Sequence, residues 1–206
     1  SLLGDKFSGV ELNKNMAQAD YNREMRYYAT IGYNYRLWPA SSYTGSSTTD
    51  KKNVVVTYYA DGTGKPFTYN PETTNYTGYT CVKYVSSMDS PDGKGYVLAK
   101  EFPIIRYAEV ILNYVEAMNE MESPYTDEKN GITVSRDIEE MRKYFNMIRY
   151  RAGQPGITDE ELNDKEKMRE AIKHERQIEF AFEGRRPYDL RRWGDLVKVT
   201  RKGFTG

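Results

Sequence analysis

The chain has 206 residues, 38% of them hydrophobic and 29% charged, with 30 Lys+Arg cancelling 30 Asp+Glu. That length holds one cored domain or two very small ones, and the charged fraction argues against wholesale disorder. With no basic stripe, nucleic acid and anionic lipid are excluded as partners, and no eighteen-residue apolar run predicts a membrane-crossing helix.

The first hundred residues hold thirteen of the 19 Tyr. Tyrosine pairs a flat apolar face with a polar tip, which suits amphipathic ligands, and it is also a good strand former. Composition alone leaves both readings open. A helical stretch is expected over about 17–29. Residues 54–60 read as a short strand ending at the turn signal Asp61-Gly62, and residues 77–85 as a second strand. Ser/Thr/Gly/Asn/Pro clusters over 41–50, 62–66 and 70–78 read as loops.

Residues 101–206 read as helical. Pro103 opens a helix running to about Glu122, with Ile104, Ala108, Ile111, Val115 and Met118 as its apolar stripe. Tyr107, Tyr114 and Met121 widen that face; Arg106, Glu109, Asn113, Glu116 and Glu120 hold the other. A second helix is capped near Ser135, carries Ile138, Met141, Phe145, Ile148 and Ala152 inward, and stops at Gly153. Thr158 and Glu161 form a capping-box pattern. The next helix runs over about 164–183 to Gly184, and a last one follows Pro187 with Tyr188, Leu190, Trp193, Leu196 and Val197. Antiparallel helix pairs of this size point to a tetratricopeptide-like stack, with too few repeats to define a period.

Motifs of catalysis are missing. His174 is the single histidine, and there is no GxSxG, HExxH, P-loop or paired CxxC. Cys81, alone, reads as a small buried hydrophobe, and residues 89–93 as an ordinary turn lacking EF-hand spacing. The sequence predicts no metal site and no cofactor. Glu175, Glu179 and Glu183 lie four apart on one helix face. Paired carboxylates equip glycosidases, but a single stripe cannot flank a substrate bond. Their expected role is an ion-pair lock with arginines such as Arg176, Arg186, Arg191 and Arg192.

Three blocks carry a resemblance. Phe102-Pro-Ile-Ile-Arg-Tyr-Ala-Glu-Val-Ile-Leu-Asn-Tyr-Val-Glu-Ala is similar to the hallmark helix of the SusD/RagB family. Asn146-Met-Ile-Arg-Tyr-Arg-Ala-Gly-Gln-Pro resembles its next helix end. His174-Glu-Arg-Gln-Ile-Glu-Phe-Ala-Phe-Glu-Gly-Arg-Arg-Pro-Tyr-Asp-Leu-Arg-Arg-Trp-Gly is similar to its most recognisable signature. The residues expected to carry that signature structurally are Arg106, Glu109, Arg149, Arg176, Glu179, Glu183, Gly184, Arg186, Asp189, Arg192 and Trp193.

The resemblance implies a mainly α fold: a tetratricopeptide-like helical scaffold over 101–206 carrying an irregular, Tyr-rich, ligand-facing region of loops and short strands over 1–100. It implies the C-terminal half of a longer protein, anchored at the outer-membrane surface by an N-terminal lipid that this chain lacks. Such proteins bind oligosaccharide, in some cases peptide, and pass it to a SusC-like TonB-dependent transporter without catalysis. A protein-docking module or a peptide-binding lid stays open beside that reading. From the residues themselves, the candidate ligand contacts are Tyr33, Asn34, Tyr35, Arg36, Trp38 and Tyr43. Sugar C–H faces stack on Trp and Tyr rings, and sugar hydroxyls take amide or guanidinium partners.

Overall fold

The structure, a computed structural model, describes residues 20–45, 52–58, 75, 77–90 and 93–197. The chain divides into two compact units, Ser1–Phe102 and Pro103–Gly206. The architecture is mainly helical with a few short antiparallel strands.

In the first unit, a short helix α1 (Met25–Thr30) leads directly into β1 (Ile31–Gly32). Strand β1 pairs with β4 (Thr80–Cys81), and β2 (Leu37–Trp38) pairs with β3 (Val54–Val55), both antiparallel. Two-residue ladders are too short to be stable alone, so side chains must hold this unit together. Tyr28 and Tyr33 form its buried cluster, with Tyr27 packed against them. Tyr27 stacks on Tyr33 at 5.9 Å, and Tyr28 meets both edge-on. Both expected strands are shorter than predicted, and so is the expected helix: residues 20–24 are turn and irregular, and only 25–30 form α1. Residues 17–19 and 59–60 of those expectations lie outside the described residues. Cys81 is exposed on β4, correcting its reading as a buried hydrophobe.

The second unit begins with α2 (Tyr107–Glu120). The predicted start at Pro103 is four residues early. Arg106 is the N-cap, with the extended φ of −106° and ψ of 151° usual there, and its guanidinium reaches across to Glu179 and Glu183. Ile104, expected in the core, is 84% exposed. Tyr107 is exposed too and does not widen the buried face, which comprises Ala108, Ile111, Leu112, Val115, Met118 and Asn119.

A hairpin follows that the periodicity did not predict: β5 (Tyr125–Asp127) against β6 (Ile132–Val134). Asp127 organises its turn by accepting from the Lys129 amide at 3.0 Å and from Asn130 Nδ2 at 2.6 Å. Gly131 takes the left-handed φ of +68° that the turn needs.

Helix α3 (Ile138–Arg151) is capped by Asp137, whose side chain accepts from the Glu140 amide. Ser135 is therefore not the cap; a carboxylate also favours the positive end of a helix. The chain leaves α3 through Gly153 at φ +69°. Helix α4 (Asp159–Asn163) opens with the full Thr158/Glu161 capping box. Asp164 caps α5 (Lys165–Glu179). This helix ends four residues before the predicted point, where Phe180 turns into the core and Phe182 adopts φ +65°. Helix α6 (Arg186–Arg192) has Pro187 in its first turn.

The core of this unit joins Leu112 and Val115 of α2, Met141 and Phe145 of α3, Leu162 of α4, and Met168 and Ile172 of α5. One polar clip crosses it. Fully buried Asn119 donates to the Lys165 carbonyl at 3.1 Å and accepts from Arg136, which also donates to the Leu162 carbonyl.

Candidate ligand-binding site

Five of the six aromatic-segment candidates lie between the end of β1 and the end of β2, with Tyr43 five residues further on, and the fold gives them unlike environments. Tyr33 is 0% exposed and Tyr43 4% exposed, so neither ring presents a face to solvent. Tyr33 belongs to the tyrosine cluster. Asn34 is half-buried, and its Oδ1 accepts from the Tyr58 amide at 2.8 Å. Arg36 is half-buried, and its Nη1 donates to the carbonyls of Tyr28 and Ile31, both at 2.6 Å. Its guanidinium carbon lies 5.8 Å from the centre of the Tyr33 ring. Burial pushes the Arg36 guanidinium below its ordinary value, against the opposing pull of the Tyr33 and Tyr58 phenols. Tyr35 and Trp38 are the two candidate rings that keep part of their surface.

The backbone around these two rings is unusual. Tyr35 has φ +67°, Ala40 +43° and Asn53 +52°, so three left-handed non-glycine residues bracket the β2–β3 ladder. An aromatic residue in that region is a conformational outlier, and it persists only where surrounding bonds over-determine it. Here they do. The Tyr35 amide donates to the Val56 carbonyl at 2.7 Å, the Val56 amide to the Arg36 carbonyl at 2.9 Å, and the Asn53 amide to the Pro39 carbonyl at 3.0 Å.

Sequence reasoning missed the group that anchors this region. Asp20, 1% exposed, accepts from the Tyr27 hydroxyl at 2.5 Å and from the Tyr79 hydroxyl at 3.1 Å, while its carbonyl accepts from Tyr28. Burial and then the Asp20 carboxylate push the Tyr27 phenol well above its ordinary value. No local signal marks Asp20, because Tyr79 is 59 residues away.

The signature residues of the second unit form a dense ion-pair network. Glu175 pairs with Arg149 at 3.3 Å, Glu179 with Arg106 at 3.0 Å and Arg151 at 2.5 Å, and Glu183 with Arg106 at 2.7 Å. Burial works against the charge of Arg106, but the Glu183 and Glu179 carboxylates outweigh it and hold that guanidinium above its ordinary value. Arg176, expected to serve these glutamates, grips Asp189 with two 3.0 Å bonds. Arg192 donates to Asp189 at 2.8 Å and pairs with Glu116, to which Trp193 Nε1 also donates at 2.7 Å. Arg185 pairs with Glu109 at 2.9 Å. Arg186 and Arg192 lie 6.0 Å and 4.6 Å from the Trp193 ring centre. Gly184 supplies φ +72° at the corner between α5 and α6.

A cleft of ≈ 530 Å³ borders this network, lined by residues including Asn113, Ala117 and Tyr188. His174 is exposed. Among the described residues, no group of three or more His, Cys, Asp or Glu could hold a metal ion.

The SusD family model matches residues 5–206. No match is found among curated proteins. Among solved structures, a SusD-like protein of Bacteroides fragilis, BF3747, is 33% identical with a TM-score of 0.61, covering 84% of this chain and 28% of its own. BF0978 of the same organism, described as a SusD-like carbohydrate binding protein, is 23% identical with a TM-score of 0.53, covering 92% of this chain and 34% of its own. BT4246 is 21% identical with a TM-score of 0.53. The chain thus spans about a third or less of the length of these relatives.

Proposed function

The chain belongs to the SusD family, and we propose that it is part of a surface protein that captures an oligosaccharide and delivers it, chemically unchanged, to a SusC-like TonB-dependent transporter in the outer membrane. One observation on this chain carries the reading. Tyr35 and Trp38 are only half-buried, beside or on a two-strand ladder flanked by left-handed backbone at Tyr35, Ala40 and Asn53. Rings fixed before the ligand arrives lose little freedom on binding, and their apolar faces match the C–H faces of a pyranose. The carbohydrate-binding description of BF0978 supports the same ligand class.

The carboxylates that invite a glycosidase reading are otherwise engaged. Glu175 and Glu179 are buried, at 1% and 3% exposure, against Arg149, Arg106 and Arg151. On this proposal their work is structural. Lipid anchoring at the cell surface belongs to the same reading.

The test is calorimetric titration of the chain, and of its longer parent, against plant, host and fungal oligosaccharides, with Trp38→Ala alongside. Saturable binding to one glycan class, weakened at least tenfold in the variant without loss of fold, is the expected result. Hydrolysis of the bound sugar by pure protein would overturn the capture-only mechanism. Exposed Tyr107 and Val110 on α2 favour a second reading, docking of a protein partner. Silence across the panel from folded parent protein would move the assignment to it, or to a peptide ligand.

A further inference from the structure

Arg36 looked like a ligand contact in the sequence, and its geometry gives it another task. A helix end leaves carbonyls without intrahelical partners, and burying them unpaired is costly. Helix α1 has no basic residue in its last turn. The Ile31 amide takes the Tyr27 carbonyl and the Val82 amide takes that of Thr30. The carbonyls of Tyr28 and Ile31 are both taken by Arg36 Nη1. Arg36 is also bound through its backbone: its amide donates to the Tyr33 carbonyl at 3.1 Å, and its carbonyl accepts from the Val56 amide at 2.9 Å. Four bonds therefore converge on one residue. They join the end of α1, the buried tyrosine cluster and Val56 just after β3, next to strained Tyr35 and two residues before Trp38.

We infer that Arg36 is a positioning residue: its side chain never touches the ligand, and it fixes the corner between α1 and β2 so that Tyr35 and Trp38 stand ready. The ligand half of this inference rests on the function proposed above; the positioning half does not. Both side-chain bonds leave a single nitrogen, so a lysine ammonium can make the same pair. A methionine can fill the space but make neither.

The experiment compares Arg36→Met and Arg36→Lys with the parent sequence, by hydrogen exchange of the whole chain without ligand and by titration with the oligosaccharide the panel identifies. Arg36→Met is expected to speed exchange over 31–38 and 54–57 while 103–197 keeps its protection, and to weaken binding about tenfold by releasing two rings that must be ordered again. Arg36→Lys is expected to restore both. Unchanged exchange in Arg36→Met overturns the inference. So does a loss of affinity that Arg36→Lys fails to rescue while its exchange stays normal, since that marks direct guanidinium contact with the ligand. If no oligosaccharide binds the parent sequence, the proposed function fails, and the exchange data still decide whether Arg36 positions the corner.

Discussion

Replacing Asp189 by Ala removes the shared acceptor at the centre of the second unit's ion-pair network. Asp189 is 4% exposed and takes two 3.0 Å bonds from Arg176, itself 4% exposed, and one of 2.8 Å from Arg192. Breaking a buried pair by deleting one partner costs about 3–5 kcal/mol, because a charge stays behind in a poorly solvating interior. Arg176 keeps Asn113 at 2.6 Å and Glu116 at 3.8 Å, which places the expected loss near the lower end, about 3 kcal/mol. For a unit of roughly a hundred residues melting by itself, that lowers Tm by about 12–24 °C. Helical circular dichroism during a thermal melt reads it directly. Arg176→Met combined with Asp189→Leu is expected to recover most of the loss, since a well-packed apolar pair can replace a buried ionic one. A loss under about 1 kcal/mol for Asp189→Ala, the scale of an exposed pair, would refute the reasoning.

Leu112→Ala deletes a fully buried side chain from the core of α2 and is expected to cost about 2–5 kcal/mol in urea unfolding. Thr158→Ala removes one half of the capping box and is expected to cost about 1 kcal/mol by the same measurement. The Arg169 fork on Glu120 holds that carboxyl below its ordinary value. A depressed carboxyl contributes stability that is full above the unfolded value of roughly 4.3 and is lost as pH falls through the lower folded value. Glu120→Gln is therefore expected to flatten the acid limb of the stability–pH curve, and an unchanged limb would count against the pair. Gly131→Ala forces a side chain into the left-handed turn of the β5–β6 hairpin, and its effect is expected as faster exchange confined to 125–134.

Much of the second unit was legible because its signals are local. The Thr158/Glu161 box and Gly153 beyond a helix end each concern residues within one turn of one another, and each does in the structure what its spacing implies; the helix expected after Pro187 opens one residue before it. The hairpin signal, Asn130-Gly131 between Tyr125 and Val134, is equally local, but it is short and lies between two strongly periodic helices. The start of α2 lies four residues beyond Pro103, at an N-cap, Arg106, whose side chain bonds Glu183, 77 residues away.

The sequence by itself determined the family, the mainly helical class, the Thr158 capping box, the Gly153 helix end and the density of tyrosine in the first hundred residues. The family rests on the resemblance of three sequence blocks and the rest on composition and short spacings, all of which survive without knowledge of the fold. Only the tertiary structure decided which ring is buried and which is open, and which carboxylate each arginine holds. Tyr33, Tyr35 and Trp38 are alike as sequence, yet Tyr33 closes a cluster and the other two keep exposed surface. Arg176 and Arg106 are alike as cations, yet one grips Asp189 and the other Glu179 and Glu183. The physical reason is common to both cases. Burial and ion pairing depend on which surfaces meet across long chain separations, and no local pattern encodes that meeting.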